Sequence, residues 1–137
     1  KLLSLVEKYR LKQKIKFISF CKEMPVAYKL ANVIVSASIE PEAFGRVSIE
    51  AQSMEKPIIA SDIGGSKDTI INDRTGFFFK SEDPVSLAEK LKHVLNLEHI
   101  TLKTMGKEGR KNVLKKFDVE KMCNSTFIEY KKLIVNN

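Results

Sequence analysis

The stretch Val35-Ser-Ala-Ser-Ile-Glu-Pro-Glu-Ala-Phe-Gly-Arg-Val-Ser-Ile-Glu50 decides the fold. It continues the apolar, β-branched run that begins at Val33, passes through small residues and Pro41, and takes up a helical pattern near Phe44. An apolar run that leads into a loop and then a helix is typical of a buried parallel strand. The stretch therefore predicts a strand, a loop and a helix in succession.

The rest of the chain repeats this alternation. Strands are predicted at 15–20, 33–37, 58–61 and 77–80, and helices at about 1–9, 25–31, 44–54, 66–72, 84–95, 101–115 and from 118 onward. Short strands that alternate with helices predict an α/β fold, a doubly wound parallel sheet with helices on both faces. Ligands of such sheets lie beyond the carboxyl ends of the strands, which here are followed by loops 19–24, 36–44 and 61–66.

Composition excludes several classes of protein. With 137 residues, 43% hydrophobic and 30% charged, the chain is expected to form one globular domain with its own core. No apolar run reaches the ~18–20 residues of a membrane span. Cys21 and Cys123 lie far apart without metal-type spacing, which favours reduced thiols and a cytoplasmic location.

The net charge of +7 is concentrated at the start of the chain. Residues 1–30 hold eight basic and two acidic side chains. A basic surface attracts phosphates of nucleotides, nucleic acids or anionic lipids, although lysines also simply solvate helix faces. The segment lacks a recognised nucleic-acid motif or an aromatic stacking surface, so we expect no nucleic-acid partner.

Two carboxylates bracket the start of the central helix. Glu50 lies among mostly apolar residues and needs a partner, which the vicinal diol of a ribose would supply. Glu42, in the loop, would reach hydroxyls of a second sugar. Between them the amides of Gly45, Arg46 and Val47 suit a diphosphate. The set predicts a nucleotide-sugar site; the alternative is that Glu42 is solvated and Glu50 pairs with a lysine of a neighbouring helix.

Other polar features are less informative. Gly64-Gly65-Ser66 would form either an anion-binding nest or, as we favour, a sharp strand-to-helix turn. His93 and His99 are not part of a recognisable catalytic arrangement in the sequence and are interpreted as structural. The sequence contains no cluster with metal-ligand spacing, so no metal is expected.

Several segments together resemble one family. They are Ser36-Ala-Ser38, Glu42-Ala-Phe-Gly-Arg-Val-Ser-Ile-Glu50-Ala, Lys56-Pro-Ile-Ile-Ala-Ser-Asp62, Gly64-Gly65, Thr75-Gly76-Phe, Asp83-Pro84 and Phe117-Asp118. Their order and spacing resemble the C-terminal domain of GT-B glycosyltransferases of the retaining group called family 4. This resemblance covers nearly the whole chain and implies a Rossmann-like sheet.

The resemblance implies roles for individual residues. Glu50 would hold the ribose hydroxyls, and Glu42 would be the catalytic-site acid that holds a hydroxyl of the donor sugar. The sugar and diphosphate would be lined by Phe44, Gly45, Arg46 and Val47, and the base would be bordered by Ser19, Phe20, Cys21 and Met24. The donor would be a UDP-, GDP- or ADP-linked sugar, without a further cofactor or a metal.

The resemblance also implies a division of labour. Residues 1–137 would be the donor-binding C-terminal domain of a longer enzyme, because the chain opens in what reads as the middle of a helix. The acceptor-binding domain and the first βα segment, with an Arg and a Lys that neutralise the diphosphate, would lie upstream. A glycan or lipid-linked acceptor would bind there, and the basic surface is compatible with peripheral contact to an anionic membrane. The isolated piece is expected to be inactive.

Two other functions stay open at this point. A nucleotide-sugar epimerase of the same architecture would place acid/base groups near the sugar, yet the candidate loops contain no His. A non-catalytic nucleotide-binding module would keep the fold without the chemistry, and the presence of both Glu42 and Glu50 argues against it.

Overall fold

The structure, a computed structural model, describes residues 1–135. The helices are α1 (Leu2–Lys8), α2 (Met24–Leu30), α3 (Arg46–Ser53), α4 (Ser66–Thr69), α5 (Pro84–Leu95), α6 (His99–Lys116) and α7 (Val119–Val135). The strands are β1 (Ile34–Ser36), β2 (Ile58–Ser61) and β3 (Gly76–Phe79). The domain predicted for residues 1–137 also includes Asn136 and Asn137, which lie outside the described residues.

The three strands form one parallel sheet in the order β1-β2-β3. In the central strand, Ile58 pairs with Ile34 on one side and with Gly76 on the other. Ile58, Ile59 and Ala60 are completely buried, as expected of a continuous apolar strand that is covered on both faces.

Successive residues of β2 point to opposite faces and so build two cores. One core contains Tyr28 of α2, Ala51 of α3, Ile58, Ala60 and Ile70. The second core contains Ile59, Phe77, Phe79, Val94 and Met105, and so brings α5 and α6 against the other face. The predicted parallel sheet with helices on both faces is confirmed.

Local sequence signals explain the long helix α5. The Asp83 carboxylate accepts hydrogen bonds from the amides of Val85 and Ser86, each at 3.0 Å, and Pro84 is the first helical residue. This is the N-cap arrangement that satisfies donors without an intrahelical partner. The predicted start of this helix is therefore confirmed.

The strand predicted at 15–20 is wrong. Between Tyr9 and Glu23 the chain follows turns and irregular backbone, and Phe17, Ile18 and Phe20 are 52%, 70% and 75% exposed. The alternation in this segment favours a strand, but a strand needs hydrogen-bonded neighbours, and the three-stranded sheet described for residues 1–135 contains none for it.

Other predicted elements are present with shifted ends. The helix predicted at 66–72 ends at Thr69, and a β-bridge joins Asn72 to Gly76. The apolar stripe predicted on the last helix lies on α7 but faces away from both cores. Its members are each more than half exposed: Met122, Phe127, Tyr130, Leu133 and Ile134. Within residues 1–135, no helix is both long and apolar enough to cross a bilayer.

Candidate functional site

The loop between β1 and α3 is fixed by the neighbouring strand end. The Ser61 hydroxyl, at the end of β2, donates to the Ser38 carbonyl at 2.6 Å. The Ser81 hydroxyl lies 3.4 Å from the same carbonyl. Because β1 and β2 are parallel, their carboxyl ends meet at one edge, and these bonds hold the backbone of the loop there.

The Gly64-Gly65 turn packs directly against this loop. The Gly65 amide donates to the Glu42 carbonyl at 2.7 Å. A Cβ at Gly65 would lie 2.5 Å from the carbonyl carbon of Phe44, and one at Gly64, whose φ is +54°, would lie 2.6 Å from the Glu42 carbonyl oxygen. The turn thus supports the loop by close backbone approach, which agrees with the sharp-turn interpretation and gives the glycines a role the sequence did not reveal.

Glu42 is half-buried and partnered. The Ser38 hydroxyl donates to its Oε1 at 2.5 Å, across one turn of the loop. This differs from the alternative of a freely solvated carboxylate. Its second oxygen retains acceptor capacity, because an ionised carboxylate offers about four lone-pair sites.

Helix α3 presents an uncapped N-terminus at the same edge. Gly45 precedes it in the left-handed region at φ +73°, and the helix has no side-chain cap. The first bond that Gly45 accepts comes from the Ser48 amide, so the amides of Arg46 and Val47 have no intrahelical acceptor. Phe44 packs edge-on against Phe117 with ring centroids 5.8 Å apart. Donors are therefore available where the sequence predicts a diphosphate.

Glu50 lies further along α3 and is held from inside the fold. The hydroxyl of buried Tyr28 donates to Glu50 Oε2 at 2.8 Å. Exposed Arg46 lies 3.4 Å from Oε1, one helical turn earlier on the same helix. No lysine bonds to Glu50 in the part of the chain described, so the lysine alternative does not describe this structure. The Glu50 side chain is 38% exposed and so accessible to a ligand.

Buried amides lock α3 in place. The Gln52 amide donates to the carbonyls of Ser48 and Thr69, and Asn112 of α6 donates to Gln52 Oε1 at 3.2 Å and to Thr69 at 3.1 Å. The contact is close because α6 carries small residues: a Cβ at Gly109 would lie 2.9 Å from the Gln52 side chain. No pattern in the sequence pairs these two amides.

The predicted base-contact residues are less constrained. Ser19 and Phe20 are exposed in the irregular segment before α2, Cys21 is partly buried, and Met24 is the first residue of α2. The connection of this region to the site runs through α2 itself, which places Tyr28 against Glu50. A carboxylate in an apolar stretch implies a partner, so Tyr28 was in principle detectable as a polar residue in an apolar helix.

The histidines lie elsewhere. His93 packs edge-on against Phe77 at 5.4 Å, on the face of the sheet that contacts α5. Among residues 1–135, no three His, Cys, Asp or Glu side chains cluster as metal ligands would.

Comparison with known proteins identifies the family. The model of the family described as "Glycosyl transferases group 1" matches residues 1–112. The chain belongs to the group 1 glycosyltransferase family. The capsular polysaccharide biosynthesis glycosyltransferase CapM of Staphylococcus aureus is 38% identical over 109 residues, which are 74% of this chain and 28% of CapM.

Solved glycosyltransferases share the fold. A sucrose-phosphate synthase from Thermosynechococcus elongatus superposes with a TM-score of 0.88 at 31% identity, over 99% of this chain and 34% of the synthase. HepE from Anabaena, solved with UDP, superposes with a TM-score of 0.87 at 23% identity, over 96% of this chain and 35% of HepE. The fold is the Rossmann-like fold of GT-B glycosyltransferases, and the chain spans about a third of the relatives it matches.

Proposed function

We propose that this chain is the donor-binding half of a glycosyltransferase that transfers a sugar from a nucleotide-sugar to a hydroxyl acceptor. One observation carries the proposal: Glu42 and Glu50 flank the uncapped N-terminus of α3 at the carboxyl edge of the sheet. The site thus combines acceptors for hydroxyls with donors for phosphates. Membership of the group 1 family supports this assignment.

Each part of the donor has a proposed partner. Glu50 binds the ribose hydroxyls, and the amides of Arg46 and Val47, next to Gly45, bind the diphosphate. Glu42, oriented by Ser38, accepts a hydrogen bond from a hydroxyl of the transferred sugar. Phe44 and Val47 line the path between them, and Ser19, Phe20, Cys21 and Met24 border the base.

The proposed reaction breaks the bond between the anomeric carbon and the diphosphate oxygen, which keeps the electron pair. A bond forms from the anomeric carbon to the acceptor oxygen, and the proton of the acceptor hydroxyl goes to the leaving diphosphate. Negative charge develops on the leaving diphosphate, and the helix N-terminus stabilises it without reorganisation. We propose retention of anomeric configuration and no metal requirement, so transfer should continue in EDTA. The acceptor binds outside this chain, and a closed cleft holds it against the donor.

The first 30 residues suggest where the enzyme works. They hold eight basic against two acidic side chains, and an anionic membrane attracts such a surface. We propose peripheral membrane contact from the cytoplasmic side, suited to a lipid-linked acceptor. Co-sedimentation with anionic but not neutral vesicles, weakened by salt, would support this, and equal binding to both would contradict it.

A donor panel tests the central proposal. UDP-, GDP-, ADP- and CMP-sugars are added to the full-length enzyme, and its melting temperature is measured with each. Donor hydrolysis and sugar transfer are then assayed separately. One nucleoside class should raise the melting temperature, because a ligand that binds only the folded state stabilises it, by ~2.7 kcal/mol at about 100 times Kd. The isolated 137-residue chain should bind weakly and transfer nothing.

The contrary outcomes are distinct. No shift and no donor consumption with any compound would refute the proposal. Binding without turnover would indicate a non-catalytic module, and interconversion of the donor sugar without an acceptor would indicate an epimerase.

A further inference from the structure

Tyr28 places a hydroxyl group in an apolar core cluster. It is 4% exposed, and its ring packs with Ala51, Ile58, Ala60 and Ile70 between α2, α3, α4 and the sheet. A hydroxyl in such surroundings requires a hydrogen-bond partner, since leaving it unpaired costs about 1–3 kcal/mol. Its partner is Glu50 Oε2, at 2.8 Å.

The bond from Tyr28 occupies one of the two carboxylate oxygens of Glu50. Oε2 accepts from Tyr28 on the core side, whereas among residues 1–135 the partner of Oε1 is the exposed Arg46 at 3.4 Å, a distance at the weak end for a hydrogen bond. The Arg46 side chain is 83% exposed. Glu50 is therefore fixed at one oxygen by a rigid aromatic side chain and keeps acceptor sites for a ligand.

We propose that Tyr28 is a positioning residue for ribose recognition: its hydroxyl fixes the Glu50 carboxylate in the orientation that accepts two hydrogen bonds from the 2′ and 3′ hydroxyls of the donor nucleotide. This inference rests on the proposed function. A glutamate on the surface of a helix has several rotamers, and binding a diol with both oxygens selects one of them. A bond that selects it beforehand removes that entropic cost from binding.

The environment keeps Tyr28 a donor. Burial, and then the neighbouring Glu50 carboxylate, raise the pKa of Tyr28 to about 12. The phenol is therefore protonated throughout the physiological range. Tyr28 also belongs to α2, whose first residue is the predicted base-contact residue Met24. The same short helix thereby connects the proposed base region with the ribose carboxylate.

Tyr28→Phe tests the inference, because it keeps the ring in the core and removes only the hydroxyl. Binding of UDP and 2′-deoxy-UDP to the full-length enzyme is measured by calorimetry, with the GDP and ADP pairs in parallel. Wild type should prefer the ribonucleotide. Tyr28→Phe should lower ribonucleotide affinity about tenfold, equal to ~1.4 kcal/mol, and deoxynucleotide affinity much less. Tyr130→Phe, at an exposed tyrosine of α7, should change neither.

The outcomes separate the inference from the function on which it rests. Equal weakening of both nucleotides by Tyr28→Phe, or no weakening of either, would overturn the positioning role. If the wild-type enzyme binds no nucleoside diphosphate, or binds the ribonucleotide and the 2′-deoxynucleotide equally well, the proposed function is overturned instead.

A second variant guards against a general effect on folding. In a Glu50→Gln background, Tyr28→Phe should no longer change the ratio of ribonucleotide to deoxynucleotide affinity, because the carboxylate it positions is gone. A ratio that still changes would contradict the inference.

Discussion

Two segments of this chain were expected to border the same ligand, but they differ in how firmly the rest of the structure holds them. The loop 37–45 is held at its backbone by Ser61 and Gly65 and at its acid by Ser38. The segment 10–23 is mostly exposed, and its apolar side chains Phe17, Ile18 and Phe20 face outward.

The difference shows what makes a loop into a site. Both segments were predicted to follow a strand end, but bonds from neighbouring strands and close backbone approach hold only the loop 37–45 in the described residues. Groups that bind a ligand or take part in catalysis need such support, because a misplacement of about 1 Å strongly reduces binding or rate. The comparison predicts that substitutions of residues that support the loop 37–45 have large effects. Comparable substitutions in segment 10–23 should have small effects.

The largest effect is expected for Gly65→Ala. Its Cβ would lie 2.5 and 2.6 Å from backbone atoms of Phe44, which cannot move without displacing the loop. Overpacking typically costs about 1–3 kcal/mol, and we expect a loss of ~3 kcal/mol or more in the free energy of unfolding, together with loss of donor binding. Denaturant unfolding of the full-length enzyme measures this. Gln13→Ala, at an exposed position of segment 10–23 without a proposed ligand contact, is the control, and an equal effect of both changes would contradict the comparison.

A smaller effect is expected for Asn112→Ala. The change removes the donor to Gln52 Oε1 and to the Thr69 carbonyl, both buried between α3, α4 and α6. An unsatisfied buried acceptor costs about 1–3 kcal/mol, so the melting temperature should fall accordingly. Asn124→Ala, at an exposed position of α7, is the matched control. A fall no greater than that of the control would show that the amide network does not hold α3.

Alkaline pH should reveal the burial of Tyr28 together with its contact with Glu50. Burial first, and then the Glu50 carboxylate, raise the pKa of Tyr28 from 10.0 to about 12, and Arg46 opposes the shift. The unfolded phenol loses its proton near pH 10 while the folded one retains it. Its stabilising contribution is therefore full below pH 10 and is lost as the pH rises to about 12.

Melting curves measured across that window compare wild type with Tyr28→Phe. The stability difference between them should shrink as the pH rises. A constant difference for Tyr28→Phe would mean that the folded structure, through burial and the Glu50 carboxylate, does not raise the pKa of Tyr28.

The smallest effect concerns segment 15–20 itself. In a longer enzyme, of which we propose this chain is a part, the alternating apolar residues of this segment should gain strand partners. Amide exchange in this segment should then be slower in the full-length enzyme than in the 137-residue chain, by about tenfold, or ~1.4 kcal/mol of local stability. Equally fast exchange in both would mean that the segment is irregular in either context.

Sequence patterns predict the parts of this molecule that local chemistry determines. The buried run Ile58–Ser61 and the cap at Asp83 are where the pattern places them. The strand at 15–20 was wrong because pairing depends on neighbours that a local pattern does not contain. For the site, the pattern locates Glu42, Gly45 and Glu50, whose placement beside α3 follows from one continuous stretch.

The supports of the site come from distant parts of the chain. Tyr28 lies 22 residues before Glu50, and Asn112 lies 60 residues after Gln52. Neither pair forms a periodic pattern, and each contact arises only when helices pack on the sheet. Close approach by Gly64 and Gly65 likewise depends on the tertiary position of the loop they contact.

The most direct test compares Glu42→Gln with Glu50→Gln in the full-length enzyme. Both changes keep side-chain size, so each reports mainly the loss of a carboxylate. Glu50→Gln should weaken UDP binding by ~1.5–3 kcal/mol, the range for hydrogen bonds to a charged group, whereas Glu42→Gln should leave UDP affinity unchanged and reduce turnover of the nucleotide-sugar. Equal losses of UDP affinity in the two variants would contradict the assignment of one acid to the ribose and the other to the transferred sugar.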